Sequence, residues 1–170
     1  IERYIRVFAD FGFNLSMNKP TFPPQKRLPT TVSKMLKGHT KPYIGIAPFA
    51  AHGSKTYPLA KMKKVISVIS KTNTVILFGA KGKESKIIQQ ISREFSNVVS
   101  AAGRFALDEE LILMSHLEVM LSMDSGNAHM AAMMGINVVT LWGVTHPYAG
   151  FRPYNQPINN CLMADREKFP

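Results

Sequence analysis

The chain has 170 residues, 45% of them apolar, which suits one domain with a sizeable core. Its 21 Lys and Arg against 11 Asp and Glu give a formal charge of +10, which points to an anionic partner. The single Cys161 excludes an internal disulfide framework, and no apolar run nears the roughly 20 residues that span a bilayer.

Ile1–Phe13 has apolar residues at 1, 4, 5, 8 and 11, a helical spacing that Gly12 ends. Nothing in Ile1-Glu2-Arg3-Tyr4 resembles a signal peptide, and a start at Ile reads as that of a piece cut from a longer protein. Asn14–Pro29 carries Pro20, Pro23, Pro24 and Pro29, a composition that resists helix and central strand alike, so it is read as an extended connector. Thr30–Lys37 is a short helix closed by Gly38. Residues 1–38 are thus taken as helix and connector, and 39–170 as the domain proper.

From there strands and helices alternate. Tyr43–Ala47 is a strand with an exit loop starting at Pro48, and a helix follows near Pro58–Ser70. Thr74–Phe78 is a second strand, followed by a Gly79-Ala80 turn and a helix from about Glu84 to Phe95. Asn97–Ser100 is a third strand; Gly103-Arg104-Phe105 leads to a helix at Asp108–Ser115. Leu117–Met123, the helix Asn127–Met134 stopped by Gly135, and the strand Asn137–Trp142 complete the pattern. Asn159–Pro170 shows no clear element. Alternation every 20–25 residues or so predicts a Rossmann-like parallel α/β sheet flanked by helices.

The candidate site lies where polar residues collect at strand ends. Asp124, Ser125, Gly126 and His129 gather where a strand passes into a helix, the edge at which free N–H groups and the helix dipole favour an anion. Gly143 and Thr145 end the next strand, so two polar turns face one crevice. Taken alone, Asp124 or Ser125 also reads as a plain N-cap and His129 as a structural histidine. Lys55 stands where a flexible cation can reach a phosphate, although it also reads as a surface lysine. Glu84 either accepts hydrogen bonds from a vicinal diol or merely favours its helix start. Phe105 either stacks on a flat ligand or belongs to the core. Neither G-x-G-x-x-G nor G-x-x-x-x-G-K-[ST] is present, which argues against a dinucleotide dehydrogenase and a P-loop NTPase. No aromatics interleave with the basic residues, so nucleic acid is not expected as a partner.

The run D-S-G-x-x-H-x-A-x-x-x-G-x-x-V-x-x-L-W-G-x-T-x-P from Asp124 to Pro147 resembles the C-terminal domain of the ADP-heptose:lipopolysaccharide heptosyltransferases, glycosyltransferase family 9. The resemblance covers about Tyr43–Pro147, with Ile1–Gly38 matching only in outline. It implies the donor-binding half of a GT-B glycosyltransferase that needs no metal or cofactor. The implied donor is a nucleotide sugar, ADP-heptose or a close relative; the implied acceptor is the lipopolysaccharide core. It makes Lys55 the diphosphate contact, Glu84 the ribose acceptor, Phe105 the adenine-packing side chain, and Asp124, Ser125, Gly126 and His129 the sugar and phosphate turn. The general base is expected in an N-terminal catalytic domain absent from this chain, so the chain alone is expected to be inactive. Two departures stand out: Phe49 where the family has Gly, and Ala50-Ala51 where it has hydroxyl residues. Backbone N–H groups, His52 or Ser54 are the substitutes on offer. A cytoplasmic enzyme with peripheral contact to anionic membrane is the matching location. Alternatives are a non-catalytic module binding nucleotide or anionic glycolipid, and another GT-B enzyme using a UDP-sugar.

Overall fold

The computed structural model describes residues 2–17, 19–149, 151–165 and 167–168. Six helices and six strands follow in the order α1 (Glu2–Asp10), α2 (Thr30–Met35), β1 (Tyr43–Ala47), α3 (Leu59–Ile69), β2 (Thr74–Leu77), α4 (Lys83–Glu94), β3 (Val98–Ser100), α5 (Leu107–Met114), β4 (Val119–Met123), α6 (Gly126–Met133), β5 (Asn137–Trp142) and β6 (Cys161–Met163). The expected alternation is therefore present, with strand and helix ends moved by one or two residues.

The strands form one sheet in the order β3-β2-β1-β4-β5-β6, and every pair is parallel. Helices cover both faces, so the inner strands are buried on both sides and read as continuous apolar runs, as Thr74–Leu77 does. On one face Met62 and Ile66 of α3 and Ile88 and Ile91 of α4 pack with Ile46, Val75 and Leu77. On the other, Val32 of α2, Leu113 of α5 and Ala131 of α6 pack with Ile76, Met120 and Val138. Strand order reverses direction between β1 and β4. The connections that leave their carboxyl ends lead to opposite faces of the sheet, to α3 and to α6, the place where open α/β sheets take ligands.

The N-terminal segment behaves differently. Helix α1 forms as its period predicts, yet none of its residues is buried, and Tyr4 is 74% exposed. The Pro-rich connector is extended, as its composition requires, and its later part is tied to the domain. Phe22 packs against Gly135 at the end of α6. Gln25 donates to the Ser115 carbonyl, and the His116 ring meets the Lys26 carbonyl at 2.8 Å.

Strand β6 corrects the reading of Asn159–Pro170 as lacking an element. The segment is recruited rather than self-forming. Gln156 first caps the start of β5, accepting from Val138 N–H and donating to the Ile136 carbonyl. Cys161–Met163 then pairs with Thr140–Trp142, whose free edge offers the backbone partners.

Candidate functional site

Three loops meet at the switch point. The first leaves β1 at Pro48 and makes a single 3-10 turn at Gly53–Lys55. The second is the Asp124-Ser125 turn between β4 and α6, and the third leaves β5 at Gly143. They are stitched together by the backbone: Val144 N–H donates to the Ser54 carbonyl, and Tyr57 N–H to the Met123 sulfur. The third loop comes so close to the first that a Cβ on Gly143 would be driven into the Ser54 carbonyl oxygen and within 3.1 Å of Lys55 Cα. Only glycine fits there.

The consequence of that approach is a cluster around Asp124. Its Oδ2 accepts from Lys55 Nζ at 2.8 Å and from Thr145 Oγ1 at 2.8 Å. The Asp124 side chain is 6% exposed and the lysine side chain 21%, so the pair lies low in the crevice with the lysine the more open of the two. Lys55 Nζ also lies 5.3 Å from the centre of the Phe151 ring, a cation–π distance. A buried carboxylate is tolerable only with such partners.

Beside this cluster α6 begins without a side-chain cap. The Ser125 hydroxyl, which sequence logic offers as a cap, is instead 3.1 Å from Ser122 Oγ. Nothing lies within 4 Å of where a Gly126 Cβ would be, so the helix start opens onto free space. Uncapped N–H groups and the helix dipole leave partial positive charge there.

The remaining candidates are more scattered. Glu84 is on the same sheet edge, at the next strand over, where its Oε2 accepts from Ala80 N–H at 2.8 Å and closes the β2–α4 turn. Phe105 is half-buried against the α2/α5/α6 core, with the Arg104 guanidinium 5.7 Å from its ring centre. His129 lies one turn into α6 and lines a separate cavity of about 260 Å³ with Pro20, Phe22, Met133 and Tyr154. Lys55, Asp124, Ser125 and Gly126 thus come together, whereas Glu84, Phe105 and His129 surround them at a distance.

Phe49 and Ala50 pack into the α3/α4 core. The aromatic side chain is half-buried against that core and so helps to anchor the loop. Two further residues join the cluster: Thr145, expected at this crevice without a stated role, and Phe151, which was not expected there. Thr145 had a signal, a hydroxyl just past a strand end; Phe151 had none. Among the described residues, no three His, Cys, Asp or Glu side chains converge as metal ligands would.

A doubly wound parallel sheet with a charged crevice at its reversal point defines a Rossmann-like ligand-binding domain. The chain belongs to glycosyltransferase family 9 (heptosyltransferase), whose family model matches residues 1–170. It is 28% identical over 164 residues to lipopolysaccharide heptosyltransferase 2 of Escherichia coli, covering 86% of this chain and 46% of that protein. Identity to lipopolysaccharide heptosyltransferase 3 of the same organism is 25% over 132 residues, 75% of this chain and 38% of that one. The chain spans less than half the length of these relatives. Among solved structures, a family 9 transferase from Veillonella parvula superposes with a TM-score of 0.77 at 18% identity, over 95% of this chain and 48% of that one. E. coli heptosyltransferase WaaC with ADP does so with a TM-score of 0.63 at 15% identity, over 77% and 41%. The expected fold, a Rossmann-like parallel sheet flanked by helices, agrees with these superpositions.

Proposed function

We propose that the crevice binds a nucleotide-sugar donor, ADP-heptose before others, and that the chain is the donor-binding part of an enzyme that transfers heptose to a lipopolysaccharide-core hydroxyl. The observation that carries this reading is the meeting of Lys55 and Asp124. They stand 69 residues apart in sequence and 2.8 Å apart in space, beside the open start of α6. A cation and uncapped N–H groups suit a diphosphate, and a carboxylate suits sugar hydroxyls.

In the transfer, an acceptor hydroxyl oxygen forms a bond to the anomeric carbon while the bond from that carbon to the diphosphate oxygen breaks. The hydroxyl proton goes to a base, and the nucleoside diphosphate leaves. Negative charge grows on the leaving group, where Lys55 and the N–H groups at Ser125-Gly126 are available to stabilise it. Asp124 orients sugar hydroxyls. Glu84 keeps one oxygen for the ribose while the other holds the Ala80 turn. Phe105 offers its ring to adenine, and His129 supports the phosphate turn. With Phe49 and Ala50 packed into the core, the hydroxyls nearest the diphosphate come from Thr145 and Ser125 rather than from the β1 loop.

The base belongs to an N-terminal catalytic domain in the longer protein, with residues 1–38 as the passage between domains and 39–170 as the donor domain. The enzyme works in the cytoplasm, at the inner face of the membrane that carries its acceptor. No helix among the described residues is long and apolar enough to cross a membrane.

Calorimetric titration with ADP, UDP, GDP and an ADP-sugar tests the reading. ADP should bind in preference to UDP and GDP, and Lys55→Ala should weaken it roughly tenfold or more, the loss of one charge-assisted hydrogen bond. A preference for UDP would move the donor to another class. ADP binding indifferent to Lys55→Ala would remove the diphosphate role.

A further inference from the structure

The charge of the chain is divided between its two helical layers. Residues 59–94, from α3 through α4, hold eight of the 21 Lys and Arg and two of the 11 Asp and Glu. Both acids are engaged, Glu84 by Ala80 N–H and Glu94 by Lys63 at 2.6 Å. Residues 105–133, which include α5 and α6, hold five acids and no Lys or Arg. Because α3 and α4 pack on one face of the sheet and α2, α5 and α6 on the other, the α3/α4 face concentrates the basic residues, while the acids of α5 lie on the opposite face.

The basic face has relief. Between α4 and the edge strand β3 runs a groove of about 650 Å³ whose lining includes Lys81, Lys86, Arg93 and Arg104 together with Ser85 and Gln89, and no acid. On α3, Lys61, Lys64 and Val68 follow at helical spacing, and Val68 is 65% exposed although apolar.

We infer that the α3/α4 face docks on the anionic headgroup layer of a lipid bilayer, with headgroup phosphates entering the β3-edge groove. Seven of the eight cations are lysines, compact point charges suited to a diffuse anionic layer. No aromatic side chain lines the groove to stack a base, which disfavours single-stranded nucleic acid. Val68, set among lysines, can dip toward the acyl boundary. The donor crevice opens at the carboxyl edge of the sheet and stays accessible in this orientation. The biological sense of such docking rests on the lipid-linked acceptor proposed above, although the binding itself can be measured without nucleotide.

Co-sedimentation with phosphatidylcholine vesicles, with and without about 30% phosphatidylglycerol, reads it out. Binding is expected only to the anionic vesicles and should weaken severalfold between 0.1 and 0.5 M NaCl, as the Debye length falls below roughly 5 Å. The double variant Lys86→Glu/Arg93→Glu should bind at least tenfold more weakly, since one basic residue near a charged bilayer contributes about fivefold or more. Lys26→Glu/Arg27→Glu, exposed on the connector beside His116 and outside the groove, should bind like the wild type. Thermal melts of both variants show whether the fold is kept. If Lys86→Glu/Arg93→Glu unfolds, Lys86→Gln/Arg93→Gln serves, with severalfold weakening expected. Equal binding of groove and connector variants, no binding by the wild type, or displacement from vesicles by polyuridylate at lower phosphate concentration than the lipid would each overturn the inference. Loss of ADP binding with vesicle binding intact would count against the donor reading alone.

Discussion

Asp124 and Lys55 are the pair whose removal tests the crevice most directly. The Asp124 side chain is nearly inaccessible and the Lys55 side chain one-fifth exposed, with Nζ and Oδ2 2.8 Å apart. Exposed pairs contribute up to about 1 kcal/mol, and breaking a fully buried pair costs about 3–5 kcal/mol, because a charge is left without a partner. The half-open geometry puts Lys55→Ala between these limits, at roughly 2 kcal/mol. For a chain of this length that lowers the melting temperature by about 6 °C. Asp124→Ala leaves a cation that can rehydrate, so it should cost less. The double variant should therefore be more stable than the sum of the single losses implies, by about 1–2 kcal/mol of coupling. Urea or thermal unfolding of the four proteins closes the cycle. Strict additivity would refute the pairing as a source of stability, and so would a Lys55→Ala variant as stable as the wild type.

Two further perturbations act on different parts of the domain. Gly143→Ala puts a methyl group against Ser54 and Lys55 backbone, so it should cost about 1–3 kcal/mol and weaken ADP binding along with stability; a neutral result in melts and calorimetry would mean that the loops part easily. Burial pushes the Glu110 carboxyl above the ordinary glutamate range. The folded state then holds that proton more tightly than the unfolded chain, so the stability it contributes is complete below the ordinary range and lost as pH rises through the raised value. The melting temperature of Glu110→Gln relative to wild type should therefore climb from pH 4 to pH 7, and a flat difference would contradict the burial effect.

Much of this architecture can be read from the residues, and what cannot has a physical cause. Tyr43–Ala47 and Asn137–Trp142 are strands at the expected bounds, since each is an apolar run with a turn residue at its end. Cys161–Met163 carries no such signal. Three residues on a half-exposed edge become a strand only because β5 has backbone groups left to pair. The period of α1 revealed a helix and implied a packed stripe, yet a period cannot say what the stripe packs on, and Tyr4, Phe8 and Phe11 are exposed. Within the site, Asp124, Ser125 and Gly126 could be found because they share one strand-to-helix turn. Their partner Lys55 could be suspected only from its own loop. The contact depends on β1 and β4 being neighbours, a property of strand order that no local spacing records. Phe49 shows the converse. A side chain in a binding loop looked like a departure in the site, but its ring also packs on the α3/α4 core, a tertiary contact that no local pattern records.

The ligand-free crevice also sets a condition on what it can accept. Lys55 already has a carboxylate partner, so a diphosphate that draws it away leaves Asp124 buried with only Thr145. A bare nucleoside diphosphate therefore exchanges one anion for another and strands part of a buried charge, which disfavours it. A nucleotide sugar brings hydroxyl donors that can hydrogen-bond the freed oxygen, and it recovers what the exchange loses. On this logic Asp124→Ala should leave ADP affinity unchanged or raise it a fewfold, because Lys55 is released, while the advantage of an ADP-sugar over ADP disappears. Calorimetry of both ligands against wild type and variant measures that ratio. Should Asp124→Ala weaken ADP and the ADP-sugar equally, Asp124 would serve to hold Lys55 in place, and recognition of the sugar would have to lie elsewhere.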